Sequence, residues 1–408
     1  VRTIAIIGPN VDDIEVLLGN YNGTPTNPIT PLEGIREKAP KGTSLMYVRG
    51  CYIAENMPTL TVVPPVVLSP ADAGAATGGL KAEYYDNQQF KGAPLHTQTD
   101  ENIDFNWWRE APLPGMKADS FSVRWTGSIV PRASGKYAIG ARAFGHVRLT
   151  VDDSLIVDAT AEHNAFTEWK WVDLKAGISR RVVLEFSDRR ADASVQLVWC
   201  KPAPIMKEEA LVAAKASDVV IMVMGLSPRL EGEEMPVNVP GFKGGDRVDI
   251  GLPKPQEELI EAVAATGKPI VLVLLNGSAL AVNWATEHVP AIMTAWYPGQ
   301  AAGLAIADVL FGNYSPAGRL PVTFYKSTNE LPPFTNYNME GRTYRYFRGE
   351  PLFPFGHGLS YTKFQYSNLQ LPTKVSAGDN AWISVTVKNT GGMNSEEVVQ
   401  LYVTNMNA

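Results

Sequence analysis

Residues 219–225 read VVIMVMG, and residues 270–277 read IVLVLLNG. Neither stretch has a polar face. A strand with one side in water alternates apolar and polar residues. A run that is apolar at consecutive positions belongs to a parallel sheet covered on both sides. Working outward, residues 4–8 (IAIIG), 45–48 (LMYV) and 291–295 (AIMTA) read as further strands. Between them, residues 31–38 (PLEGIREK, with Pro at its start), 206–216, 257–266 and 299–312 (GQAAGLAIADVLFG) carry helical patterning. Strands that alternate with helices predict an α/β fold with a mostly parallel sheet.

A second texture interrupts the first. From about residue 79 to 202 the period is two: Val147, Leu149 and Val151 alternate with Arg148, Thr150 and Asp152, and Val195, Leu197 and Trp199 repeat the pattern. Turn residues such as Ala133-Ser134-Gly135 separate the runs, which predicts an all-β domain. Pro58, Pro64, Pro65 and Pro70 before it, and Pro202 and Pro204 after it, read as linkers. A third texture starts near Phe364, where Ile383, Val385 and Val387 alternate with Ser384 and Thr386. It predicts the first strands of a β-sandwich too short to be complete, since a full one takes ~100 residues.

Length and charge narrow the function classes. A chain of 408 residues is expected to hold two or three domains. The net charge of −6 is spread along the chain without a basic cluster, which speaks against nucleic acid as a partner. No apolar run reaches the ~18 residues that a bilayer needs, so no membrane contact is expected. The two cysteines, Cys51 and Cys200, form no metal-binding pattern. The chain opens directly on a buried-type strand and stops just after EVVQLYVT, so both ends read as cut from a longer protein. A periplasmic or secreted location is expected ahead of a cytoplasmic one. No Gly-rich phosphate cradle follows any strand, and the first strand ends Gly8-Pro9-Asn10, where proline removes a donor such a cradle would use.

The segments IAIIGPNVDD (4–13), LLGNYNGTPTNPITPLEGI (17–35), AWYPGQAAGLAIADVLFGNYSPAGRLPVTF (295–324) and GRTYRYFRGEPLFPFGHGLSYTKF (341–364) resemble the C-terminal α/β domain of glycoside hydrolase family 3. The resemblance covers residues 1–75 and 204–365. LKAEYYDNQQFKG (80–92), residues 121–159 and VQLVW (195–199) resemble the protective-antigen-type β domain found inside some members, which assigns 76–203 to an insert. Residues 366–408 resemble the start of a fibronectin type III-like domain. The expected architecture is therefore α/β plus all-β: a mostly parallel α/β sandwich, split by an inserted β-sandwich and followed by a truncated fibronectin type III-like sandwich. Some sugar-binding relatives of the insert hold calcium with an Asp-Asp pair ahead of the strand. Here that place reads Ala143-Phe144-Gly145, and Asp152-Asp153 lies at the turn beyond it, where aspartate suits the backbone.

The resemblance implies an exo-acting retaining β-glycosidase, a β-glucosidase first and a β-xylosidase second, acting on terminal β-linked sugars of oligosaccharides or β-glycosides. Substrates are expected to be short. The nucleophile would be an aspartate on an N-terminal barrel outside these residues, so the chain alone is expected to be inactive and to need that barrel as its partner; a homodimer is left open. No metal or organic cofactor is expected, because two carboxyl groups suffice for the reaction. The acid/base would come from the loop after VVIMVMG, LSPRLEGEEMPVNVPGFKGGDRVDIGLP (226–253), with Glu231, Glu233 and Glu234. Glu231-Gly232-Glu233 followed by Asp246-Arg247 aligns best with Glu233 as that residue, while the long spacer keeps Glu231 and Glu234 as alternatives. Crowded carboxylates disfavour one another's ionisation, which suits a general acid. The bland alternative is a solvated acidic loop.

Other residues carry weaker signals. Trp107-Trp108 reads as a core pair before a sugar platform. His357, among Pro and Gly, reads as part of a structural turn rather than a base. Trp296 and Tyr297 fall where a parallel sheet presents its C-terminal edge. The rival class of function is a non-catalytic carbohydrate-binding or assembly module.

Overall fold

The computed structural model describes residues 1–70, 78–161, 163–188 and 192–404. It falls into two compact units, Val1–Asn56 with Glu209–Ala408, and Met57–Glu208. The boundary expected at 75/76 lies in 71–77, outside the described residues.

The first unit is built on five strands: β1 (Thr3–Ile7), β2 (Ser44–Val48), β3 (Val219–Gly225), β4 (Ile270–Leu275) and β5 (Ala291–Thr294). Their order is β2-β1-β3-β4-β5 and every pair is parallel. The continuous apolar runs have the cause the sequence suggested: β1, β3 and β4 are central and almost wholly buried, while edge strands β2 and β5 are only half-buried.

Helices α1 (Pro31–Lys38), α2 (Ala203–Ala216), α3 (Lys254–Ala264), α4 (Asn283–His288) and α5 (Ala302–Leu310) alternate with the strands. One apolar cluster joins Ile4, Ile6, Ile221, Val223, Val273 and Leu275 of the sheet to Leu32 and Ile35 of α1 and Ala302, Ile306 and Ala307 of α5. Helices α1 and α5 meet at Gly34 and Gly303. A Cβ on Gly34 would lie 2.0 Å from Gly303 O, so the crossing excludes any side chain there. A capping box starts α1: Thr30 Oγ1 accepts from Glu33 N, and Glu33 Oε2 accepts from Thr30 N at 2.8 Å. On α3, the fully buried Gln256 accepts from Gly225 N and donates to Gly225 O and Ile53 O, tying the helix to the end of β3.

The strand order reverses direction between β1 and β3. In doubly wound sheets the crevice outside the carboxyl ends of the strands at such a switch point is where ligands bind. The segments leaving β1, β3, β4 and β5, namely 8–30, 226–253, 276–282 and 295–301, are therefore the ones that can meet there.

The second unit is all antiparallel. One sheet runs Ser154–Thr160, His146–Val151, Arg180–Ser187, Ser122–Ile129, Leu80–Tyr85, His96–Asp100. Another runs Phe166–Leu174, Gly135–Phe144, Ala193–Cys200, Thr61–Val62. Both contribute to one core, Tyr84, Trp125, Leu149, Leu184 and Phe186 from the first and Tyr137, Ile139, Val195 and Leu197 from the second. Trp107 joins that core at 8% exposure, but its neighbour Trp108 is 59% exposed at φ +54°. The expectation of a core pair thus holds for one residue and fails for the other, because adjacent strand residues face opposite ways. Asp152 occupies the turn after His146–Val151 at φ +51°, its carboxylate accepting from Arg181 N at 3.0 Å and from Arg180 Nε. Strands Phe364–Gln370 and Ser384–Asn389 pair antiparallel near the end of the chain. Among the described residues no helix is long and apolar enough to cross a membrane.

Candidate active site

Three other segments from the C-terminal edge of the parallel sheet converge on the acidic loop. Asn10, after β1, donates to Leu226 O at 2.9 Å, and Leu226 N donates to Leu275 O at 2.7 Å. The start of the loop is thereby locked between β1 and β4. Further along, the loop folds on itself as a small antiparallel sheet of Asn238–Val239, Phe242–Lys243 and Asp246–Arg247. Gly232 N donates to Gly245 O at 3.2 Å. At φ +88°, with a Cβ position 1.9 Å from Gly232 O, residue 245 accepts only glycine.

That folding gives the three glutamates different settings. Glu231 is pinned: its Oε1 accepts from Gly277 N at 2.7 Å and from the Tyr297 hydroxyl at 2.6 Å, and its Oε2 accepts from Ser278 Oγ at 2.7 Å. The guanidinium of Arg247 stands beside it. Arg247 donates to Ser278 Oγ at 2.9 Å, Ala279 O at 2.7 Å and Gly251 O at 3.1 Å. Burial lowers the Arg247 pKa below its ordinary value, and the Glu231 carboxylate opposes that shift. Burial, reinforced by Glu231, holds the Tyr297 phenol far above its usual range, so it remains a donor. Every oxygen of Glu231 is committed to holding the loop against β4 and β5.

Glu233, two residues on, is exposed and accepts at Oε2 from the Tyr21 hydroxyl. Tyr21 sits in the segment after β1. Beside it, Asn20 Nδ2 donates to Glu231 O at 2.7 Å. Glu234 is exposed and left-handed at φ +48°. A carboxyl group that must both give and take a proton needs a free lone pair and access to water and substrate. Glu233 and Glu234 are exposed, whereas Glu231 is half-buried with both of its oxygens hydrogen-bonded.

The other sequence candidates divide. Tyr297 belongs to the Glu231 network, whereas Trp296 packs edge-on to Phe324 with ring centroids 6.0 Å apart. His357 stacks on Phe353 at 4.9 Å, its carbonyl accepts from Leu320 N, and burial followed by Arg319 lowers its pKa. This is the structural turn expected. Tyr21, Asn20 and Ser278 were not singled out by sequence. Ser278 had a visible signal, Asn276-Gly277-Ser278 directly after a buried strand; Tyr21 and Asn20 had none, since their partners lie over 200 positions away.

Known proteins resemble the chain over nearly its whole length. The profile of the glycosyl hydrolase family 3 C-terminal domain matches residues 1–361. A xylan 1,4-beta-xylosidase of Xylanibacter ruminicola is 36% identical over 412 residues, covering 99% of this chain and 46% of that protein. A periplasmic beta-glucosidase of Salmonella typhimurium is 39% identical over 216 residues, 50% of this chain and 27% of that protein. A solved beta-glucosidase from Kluyveromyces marxianus in complex with glucose superposes with a TM-score of 0.59 at 27% identity, covering 95% of this chain and 48% of that one. The chain spans about half the length of the curated relatives it matches end to end.

Proposed function

The chain belongs to the glycosyl hydrolase family 3 C-terminal domain family, and from that membership we propose that it supplies the general acid/base, Glu233, to a retaining β-glycosidase. Retaining enzymes pair an acid/base with a carboxylate nucleophile. The nucleophile is assigned to an aspartate on a barrel domain outside these residues. The substrate is a terminal β-linked glucose of a short oligosaccharide or aryl β-glycoside, released without metal or organic cofactor.

The observation that carries this reading is the contrast between Glu231 and Glu233. One carboxylate is immobilised by donors from the segments after β4 and β5, and it fixes the backbone from which the next reaches solvent at the C-terminal edge of the sheet. In the first step Glu233 gives its proton to the departing glycosidic oxygen while the nucleophile bonds to the anomeric carbon. In the second, the same carboxylate takes a proton from the water that releases the sugar. The alternative sugar is xylose, favoured by the xylosidase that matches 99% of this chain. The inserted β domain of protective-antigen type, the fibronectin type III-like segment from 366, and a periplasmic or secreted location belong to the same proposal; the relative named as periplasmic supports the last.

The test uses the full-length protein with 4-nitrophenyl β-glucoside and β-xyloside, following the anomeric configuration of the released sugar by proton NMR. Hydrolysis with retention and a higher kcat/KM for the glucoside is expected. Preference for the xyloside overturns the sugar alone, and inversion or inactivity on both overturns the function.

A further inference from the structure

We propose that Tyr21 is a positioning residue for Glu233, holding one carboxylate oxygen so that the other faces the proton it exchanges. The proposal rests on the assignment of Glu233 above. Three contacts carry it. The Tyr21 hydroxyl donates to Glu233 Oε2, and the preceding Asn20 donates to Glu231 O at 2.7 Å. Consecutive residues of one segment thus grip alternate residues of the acidic loop. The following Asn22 closes its own turn by donating to Gly19 O at 2.8 Å, which fixes the grip.

Tyr21 has little else to do where it stands. It is 87% exposed, so its ring gains almost nothing from burial. Its backbone is left-handed at φ +58°, a conformation that costs a non-glycine residue free energy and persists where the surroundings impose it. What remains is the phenol. Contact with Glu233 raises the Tyr21 pKa, so the hydroxyl stays a donor through the working pH range.

A phenol donates more strongly to a carboxylate than to a carboxylic acid. During deglycosylation Glu233 begins as carboxylate: Oε2 keeps the Tyr21 bond and Oε1 receives the proton from water. In the first step the order reverses, and the Tyr21 bond strengthens as the proton leaves Oε1 for the glycosidic oxygen. Tyr21 therefore favours the ionised form, which helps the first step, where that form develops, and sets its upper pH limit; in the second step its part is to hold the carboxylate in place. The other charged groups at this place are Glu234, Glu231 and, beyond Glu231, Arg247; the last two are bound to each other's surroundings rather than to Glu233.

The experiment compares Tyr21→Phe, Glu233→Ala and the double variant of the full-length enzyme on aryl β-glycosides, with a poor leaving group for the pH profile and a good one for azide rescue. For Tyr21→Phe, the basic limb of the kcat/KM profile is expected to move up, and kcat/KM on the poor-leaving-group substrate to fall ~3–10-fold, because the first step loses the donor that stabilises the carboxylate as it forms. In the Glu233→Ala background, the same change should leave the azide-rescued rate unaltered, since Tyr21 acts only through Glu233. An unmoved pH profile with Glu233→Ala still rescued by azide overturns the role of Tyr21 and leaves Glu233 standing. Absence of azide rescue in Glu233→Ala overturns both.

Discussion

The hydroxyl of Tyr297 donates a 2.6 Å hydrogen bond to Glu231 Oε1, joining the segment after β5 to the loop after β3. With Gly277 N and Ser278 Oγ from the segment after β4, it converts an acidic residue in a long loop into a clasp across three strands. The clasp orients Glu233, because only Gly232 separates the two side chains and its backbone is fixed to Gly245.

Tyr297→Phe should therefore do more than its own bond is worth. Loss of a donor to a part-buried carboxylate costs about 1–3 kcal/mol. In the full-length protein the unfolding midpoint should fall by a few degrees, and kcat/KM should drop about tenfold with KM little changed. Calorimetry and steady-state kinetics check this; unchanged kinetics with lowered stability would make the clasp structural only.

The sheet that carries this site is legible in the sequence, and the clasp is not. VVIMVMG and IVLVLLNG announce central parallel strands because nothing but burial on both faces tolerates such runs. The strand order then places the loop after β3 at the switch point. Within that loop, Glu231 and Glu233 look alike in sequence. What separates them comes from residues 46, 47 and 66 positions further along, at Gly277, Ser278 and Tyr297, and no local pattern encodes those meetings. Trp107 and Trp108 are a different case. Strand alternation alone requires that they part, so the exposure of Trp108 follows from its place next to a core residue on one strand.

Stability also responds to pH through Glu257 on α3. Burial, followed by the Glu261 and Asp249 charges, raises its pKa above 4.5. The folded state then holds the proton to higher pH than the unfolded state. Its favourable contribution is present below the unfolded value and is lost as pH rises through the folded one. Glu257→Gln should raise the unfolding midpoint at pH 7 and leave it unchanged near pH 4, as thermal melts across pH would show.

In the antiparallel unit, Glu83, Arg124, Glu185, Arg148 and Asp158 lie opposite one another on five successive strands, a row of alternating charge. Arg124 is its hinge, 2.9 Å from Glu185 and 4.9 Å over the Phe90 ring. Cross-strand pairs of this kind contribute roughly 0.2–1 kcal/mol each. Arg124→Met should cost about 1 kcal/mol in low salt, falling to roughly half that in 1 M salt as the pairs are screened. Denaturant titrations at the two ionic strengths read the difference.

Glu233 is assigned both proton transfers, and azide rescue probes that role. In the full-length enzyme, Glu231→Ala, Glu233→Ala and Glu234→Ala are assayed on an aryl β-glycoside with a good leaving group, with and without azide. Glu233→Ala should slow deglycosylation by ~10²–10⁴-fold. Azide should restore turnover and yield the β-glycosyl azide, because a small anion attacks the glycosyl-enzyme without help from a base. The other two variants should be slowed less and gain nothing from azide. Rescue of Glu234→Ala in place of Glu233→Ala, or of none of the three, would contradict the assignment.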